Sequence, residues 1–406
     1  MDKLTQALLT VLFGLSVGLT PSAQAQDVLL TSVQIVDPAL ETVVEGSVLV
    51  QDGLIAQIGA GVEAPEGTRT LDLAGRWVIP GLFDLHTHSF GNFAIGGAPE
   101  MLGPLGVAGV AMRAGVVGYL DLFSPEDMIL GARDQQRAAQ EGRQEADIFA
   151  AGPCLTATNG HCSEYGVPTR LVDSPADARE QVGELAGKHP DVVKLVYDNA
   201  TYGSRELPTV DKATMEAVVA ATHDAGLKAV IHVGTWSDLM EAVQAGADAV
   251  THTPGPAPMP AELPALMVER GVVHIPTLAV QSELGRLRED PSLLDRPLLE
   301  SSASAVVLEG YRDLDGWPEQ MKGFAAWTTS LRDANQEAVA ALAAAGVTMA
   351  TGTDGGNPGI FQGYSVHREM ELLVEAGLSE WAALAAATVA PAAFLGLEPV
   401  LREGSP

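Results

Sequence analysis

Along residues 27–76 apolar and polar positions alternate in short runs broken by turn residues. Residues 29–36, 46–50 and 54–58 read as strands, the last of them following the hairpin signal Asp52-Gly53. From Trp77 the pattern changes: apolar strands alternate with Ala-rich helical stretches such as 214–225 and 333–345, the latter closed by Gly346. The strand candidates are 78–88, 115–123, 147–156, 192–197, 229–234, 249–253, 272–278 and 347–354. Such alternation predicts parallel strands covered by helices. Eight strands are the number a closed barrel needs, so the predicted class is α/β, a (β/α)8 TIM barrel preceded by a small β module.

Between the seventh and eighth strands, residues 279–346 exceed an ordinary connection and carry Tyr311, Trp317, Phe324 and Trp327. An insertion on that face of a barrel is where a lid or substrate wall forms. Packing of extra helices explains each aromatic, taken singly, at least as well.

The composition narrows the function classes. A chain of 406 residues with 47% hydrophobic side chains can bury a large core. Its 52 acids against 23 Lys and Arg give a net charge of −29. Phosphate and anionic lipid both need a basic surface, so neither nucleic acid nor a membrane face is an expected partner. A small-molecule substrate remains, and assembly into a homo-oligomer stays open.

Residues 1–25 pair Lys3 with the apolar run 8–15 and the small-x-small pattern Ala23-Gln24-Ala25. They read as a signal peptide cleaved before Gln26, which implies a periplasmic or secreted protein with no membrane attachment after cleavage. The alternative, an uncleaved anchor, needs a longer apolar run than this one. The two cysteines, Cys154 and Cys162, are expected to form a disulfide in that compartment, with two unpaired core residues as the alternative.

Metal-ligand residue types recur at the ends of the predicted strands. His86 and His88 stand at i and i+2, so both side chains point to one side with Cα atoms ~6–7 Å apart. Lys194 lies in the fourth strand, while His232, His252 and Asp354 close the fifth, sixth and eighth. A lone His-x-His fits ordinary packing. Four of nine histidines on the face where barrel active sites form is a different matter.

These residues carry a resemblance. The run Val78-Ile79-Pro80-Gly81-Leu82-Phe83-Asp84-Leu85-His86-Thr87-His88, with Val192-Val193-Lys194, Ile231-His232, Thr251-His252 and Thr351-Gly352-Thr353-Asp354, resembles the amidohydrolase superfamily. Within it the chain looks like the imidazolonepropionase-like and Xaa-Pro-dipeptidase-like metal-dependent hydrolases. The resemblance implies a β-sandwich in which N-terminal residues 26–80 join strands from the end of the chain, beside a barrel spanning 81–398. The family pattern continues past Pro406, so 399–406 are expected to be only the start of that last segment, leaving edges of the N-terminal strands exposed.

The resemblance also implies roles. His86, His88 and Asp354 would hold one ion and His232 and His252 a second, the implied cofactors being two Zn2+ bridged by Lys194 as its carbamate. An unmodified ammonium has donors only, so that role requires the modification; otherwise Lys194 pairs with an acid such as Asp198. One ion on His86, His88, His232 and Asp354 is the mononuclear alternative. Coordination lowers the pKa of water from 15.7 to ~7, giving a hydroxide that attacks an amide carbonyl. Asp354 would then be the catalytic acid and base that moves the proton to the leaving nitrogen.

His161 and Tyr197 are expected to bind substrate, or else to be an exposed loop histidine and a barrel-mouth filler. His367 is expected to cap or support; His189, His223 and His274 read as structural. The expected activity is hydrolysis of a C–N bond. Deaminase or lactonase chemistry, and a non-catalytic metal- or ligand-binding barrel, are the alternatives, because reaction choice lies in the loops.

Overall fold

The computed structural model of the chain describes residues 27–139, 144–199, 201–202, 205–398 and 401–405. The signal-peptide expectation for 1–25 lies outside the described residues.

The N-terminal strands are β1 (Val28–Asp37), β2 (Thr42–Gln51), β3 (Leu54–Gly59), β4 (Arg69–Asp72) and β5 (Trp77–Val78). They form one five-stranded sheet in the order β3-β2-β1-β4, with β5 also paired to β1. Among the described residues these strands all belong to that one sheet. Its apolar face gathers Val33, Val48 and Ile55, with Leu401 packed against them. Residues near the chain end add to it: Ile55 donates its N–H to the Ser405 carbonyl at 2.7 Å, and Gly404 donates to the Ile55 carbonyl at 2.8 Å.

Beyond Val78 the architecture is parallel α/β. Strands β6 (Leu82–Thr87), β7 (Val116–Asp121) and β8 (Asp147–Ala150) form one sheet in the order β8-β7-β6. Strands β9 (Leu155–Thr156), β10 (Val192–Tyr197), β11 (Lys228–Val233), β12 (Ala249–Thr251) and β13 (Val273–Ile275) follow one another in a second. All six residues of β6 and of β10 are buried, as expected of strands covered on both faces.

The predicted strand 147–156 is interrupted between β8 and β9, where Gly152 turns the chain at φ +80°. The predicted strand 347–354 forms no ladder of its own. It hydrogen-bonds to both neighbours instead: His274 to the Thr348 carbonyl at 2.9 Å, Leu85 to the Thr351 carbonyl at 2.9 Å, and Asp354 to the His86 carbonyl at 2.7 Å. The segment therefore lies between β13 and β6, and single bonds rather than a continuous ladder link it to the two sheets.

Local signals explain the helices. Helix Lys212–Asp224 starts where the Asp211 side chain accepts the Thr214 N–H. Helix Trp236–Ala245 opens on a Thr235/Asp238 capping box and ends at the left-handed Gly246. Helix Glu319–Ala344 runs for 26 residues, starting well before the predicted 333. Its first half joins helices Glu283–Glu289 and Ala305–Arg312 around a separate core of Leu284, Leu294, Tyr311, Trp317 and Phe361. Tyr311 and Trp317 thus pack the inserted helices, while Trp327 is 38% exposed and stacks on Phe324. Among the described residues no helix is long and apolar enough to cross a membrane.

The expected Cys154–Cys162 bridge is not formed: both are free, buried thiols. They share a small apolar cluster with Phe123 and Val196, so packing accommodates them as small core residues.

Candidate active site

The ends of the parallel strands bring the six metal-ligand candidates together. His86 belongs to β6 and His88 stands one residue past it; Lys194 and His232 lie within β10 and β11. The β12 ladder stops at Thr251 because His252 turns into the left-handed region at φ 72°, and Asp354 does the same at φ 62°. Such backbone is costly outside glycine and persists where the surroundings impose it. Gly352 is needed for a different reason: a Cβ there would meet Ile275 at 2.3 Å and the His86 Cβ at 2.8 Å.

Asp354 is the hub. Its Oδ1 lies 2.8 Å from His88 Nε2 and 3.4 Å from His86 Nε2. Donor atoms of His86, His252 and Asp354 all fall within 4.8 Å of one another. The rings continue from there, with centroids 5.0 Å apart for His86 and His252, 4.3 Å for His252 and His232, and 5.0 Å for His232 and His161. The tightest trio mixes the two expected ligand groups, since His252 was assigned to the second ion. His86 Nδ1, His88 Nδ1 and Asp354 Oδ1 are buried without a directed hydrogen bond. Buried polar atoms normally have partners, so this concentration of imidazole nitrogens and a carboxylate oxygen fits a divalent ion's donor set.

Other side chains hold the candidate donors in place. Asp198, 4% exposed, approaches His232 Nε2 at 3.1 Å, and the Thr277 hydroxyl contacts His252 Nδ1 at 2.7 Å. Each of these imidazoles keeps its second nitrogen for another ligand. Lys194 is buried and donates to the Thr251 hydroxyl at 2.9 Å. Asp121, at the end of β7, accepts the Ser89 N–H and the Ser124 hydroxyl, both at 2.7 Å, pinning the residue after His88.

The electrostatics follow from burial and proximity. Burial lowers His86 and His252 well below the usual histidine range and lowers His232 despite Asp198. Burial works against His88 too, but Asp354 and Asp121 outweigh it and raise that ring. Burial also opposes ionisation of Asp354, yet His86 and His88 hold its carboxyl well below the ordinary carboxylate range. Lys194 is lowered by burial to about 8. Burial thus favours neutral rings at His86, His232 and His252 beside a charged Asp354, the protonation states that ligate a cation, while Asp354 favours the proton on His88.

Of the two expected substrate residues, only His161 faces this cluster; its Nδ1 meets Glu164 at 2.9 Å. Tyr197 is directed elsewhere: it belongs to the core around Val233 and Leu239, and its hydroxyl donates to Glu241 at 2.5 Å. Side chains alternate along a strand, so position 197 faces opposite to 194, whereas 198 shares its side. His367 donates to the Ala114 carbonyl at 2.7 Å, capping helix Gly103–Arg113. His274 contacts the Thr253 hydroxyl at 3.1 Å, His223 pairs with Asp248 at 2.9 Å, and the His189 carbonyl accepts from Arg133.

Asp84, Asp121, Thr251 and Thr277 do not stand out in the sequence as supporting residues, and Asp198 does so only as a partner for Lys194. The available signal was an acidic residue within or closing an apolar strand, on the ligands' side.

The chain has counterparts among known proteins. The profile of the amidohydrolase family matches residues 77–401. A dihydroorotase from Citrifermentans bemidjiense is 40% identical over 55 residues, 14% of this chain and 13% of the dihydroorotase, so the chain matches only about an eighth of that relative's length. A Xaa-Pro dipeptidase structure with methionine in its active site superposes with a TM-score of 0.73 at 21% identity, covering 94% of this chain and 92% of that one. A putative prolidase from Bifidobacterium longum gives a TM-score of 0.69 at 22% identity over 94% and 87%. At such identities the structural likeness establishes the fold.

Proposed function

The chain belongs to the amidohydrolase family, and on that premise we propose that it is a metal-dependent hydrolase cleaving a C–N bond in a small amide, dipeptide or cyclic amide. The observation that carries the reading is the convergence on the buried Asp354 Oδ1 of His88 Nε2 at 2.8 Å and His86 Nε2 at 3.4 Å, with His252 beside it. A carboxylate so placed would be costly to bury unless a cation shares it. The structural neighbours named as dipeptidase and prolidase favour an amide-type bond over other targets.

His86, His88 and Asp354 would hold one ion, and His232 and His252 a second, with zinc the expected metal. A divalent ion there supplies Lewis-acid polarisation of a carbonyl and makes a water more acidic. Lys194 would contribute as its carbamate, its neutral amine adding to CO2 with loss of a proton to give a carboxylate between the two histidine groups. Asp354 takes a proton from the attacking water and returns it to the leaving nitrogen, acting as general base and then general acid. Asp198 and Thr277 orient His232 and His252, and His161, at the rim, meets the substrate.

With β8 and β9 counted as one interrupted strand, the parallel strands read as an eight-membered closed barrel completed by residues 347–354 between β13 and β6. Export after removal of residues 1–25, and a small-molecule partner rather than nucleic acid or a membrane, complete the reading.

The test is metal analysis of the purified protein together with hydrolysis of a dipeptide and N-acyl-amino-acid library in added Zn2+ and bicarbonate. Bound divalent metal, and turnover abolished in His86→Ala, are expected. No bound metal and unchanged turnover in that variant would sink the proposal.

A further inference from the structure

Asp84 is a carboxylate inside an apolar, fully buried strand, itself 3% exposed. Burying such a group is expensive unless its oxygens are engaged. They are engaged on two strands at once. Oδ1 accepts the N–H of His86 at 3.1 Å and the N–H of Thr353 at 3.0 Å, while Oδ2 accepts the Thr353 hydroxyl at 2.6 Å. The His86 carbonyl completes the arrangement by accepting the N–H groups of Thr353 at 3.1 Å and Asp354 at 2.7 Å.

The residue held by this clamp needs holding. Asp354 adopts φ 62°, a left-handed conformation that a residue with a Cβ keeps only where its surroundings dictate it. The segment around it has no ladder, so a few individual bonds set its register against β6. Shifting that register would swing Oδ1 away from His86 and His88.

We infer that Asp84 is a positioning residue: it ties Thr353 to the backbone of His86 and thereby fixes Asp354 Oδ1 opposite the Nε2 atoms of His86 and His88, presetting the donor cluster for a divalent ion. The inference rests on the metal-dependent reading and deepens it by naming what builds the site.

Three variants test it. Asp84→Ala removes all three contacts. Asp84→Asn can keep them, its oxygen accepting both N–H groups and its amide donating to the Thr353 oxygen. Thr353→Val removes only the hydroxyl contact. The readouts are Co2+ affinity, the visible absorption spectrum of the bound Co2+, thermal unfolding, and hydrogen exchange of the metal-free protein over residues 349–357.

Asp84→Ala should bind Co2+ about tenfold to a hundredfold more weakly, with an altered spectrum, and Thr353→Val about tenfold more weakly. Asp84→Asn should recover affinity to within about threefold of wild type, a rescue that follows from preserved hydrogen-bond geometry. Wild-type affinity and spectrum in a folded Asp84→Ala, or in Thr353→Val should Asp84→Ala fail to fold, overturns the clamp. If the wild type itself binds no divalent ion, the metal-dependent reading falls separately. The clamp then stands on exchange alone: amides 353 and 354 should exchange about tenfold faster in Thr353→Val, and unchanged exchange overturns it.

Discussion

Asp198 Oδ2 lies 3.1 Å from His232 Nε2, with both residues buried at the mouth of the parallel sheet. A carboxylate in that place selects the ring's tautomer and orientation and leaves Nδ1 for another ligand. Asp198→Ala should therefore weaken divalent-metal affinity by about tenfold to a hundredfold with a smaller loss of thermal stability. Isothermal titration with Zn2+ or Co2+ reads this directly. Equal affinity in the variant would show that His232 needs no orienting partner.

Lys194 offers a sharper contrast. Its amine is buried and held by Thr251, among three imidazoles and Asp354. Without modification it repels a cation, and as a carbamate it would bind two. Lys194→Ala should lose about one of two bound ions, and activity should partly return on adding acetate or propionate as a replacement carboxylate. Wild-type metal stoichiometry in Lys194→Ala would refute the carbamate.

Tyr197 is one residue from Asp198 and faces the other way. Its hydroxyl donates to Glu241, and desolvation raises its pKa further above the ordinary tyrosine value. Tyr197→Phe should cost about 1.5–3 kcal/mol of stability through a lost hydrogen bond to a charged group. Its kcat/KM should stay within about twofold, because nothing at the reacting centre is removed. A tenfold fall in kcat/KM at unchanged stability would return Tyr197 to the site.

These residues also mark what could be read from the chain. Strand alternation placed His86 beside His88, and the alternation of strands with helices placed Lys194, His232, His252 and Asp354 at strand ends. Both patterns are periodic, and burial on two faces enforces them. The supporting residues were harder to find, because Asp84, Asp121, Thr251 and Thr277 act through single hydrogen bonds that leave no periodicity. The Asp84 contacts to Thr353 link positions 269 residues apart, beyond any local pattern. Parity alone would have turned Tyr197 away from the site and Asp198 toward it. The extended start of helix Glu319–Ala344 was hidden for another reason: its first half packs the inserted helices, so its apolar stripe follows a core the strands do not reveal.

Glu369 links pH to stability through a buried carboxyl outside the histidine cluster. It is fully buried on helix Tyr364–Glu375, its two oxygens accepting the N–H groups of Leu278 and Ala279 at 2.9 and 2.7 Å. Burial raises its pKa from 4.5 to about 8 against those two bonds, with Asp84 and Glu283 adding to the rise, while the adjacent Arg368 is occupied by Glu283. The folded protein therefore keeps a proton that the unfolded chain releases above pH 4.5. Stability from this group is fully present below about 4.5 and is lost as pH rises toward 8, at about 1.4 kcal/mol per unit within that window. Glu369→Gln cannot ionise, though its amide faces one of the two N–H groups, so it should be less stable at pH 5. Its unfolding free energy should decline less steeply from pH 5.5 to 8, by about that same 1.4 kcal/mol per unit. Parallel stability curves for Glu369→Gln and wild type, measured by urea unfolding across this range, would show that the buried carboxyl is already ionised in the fold.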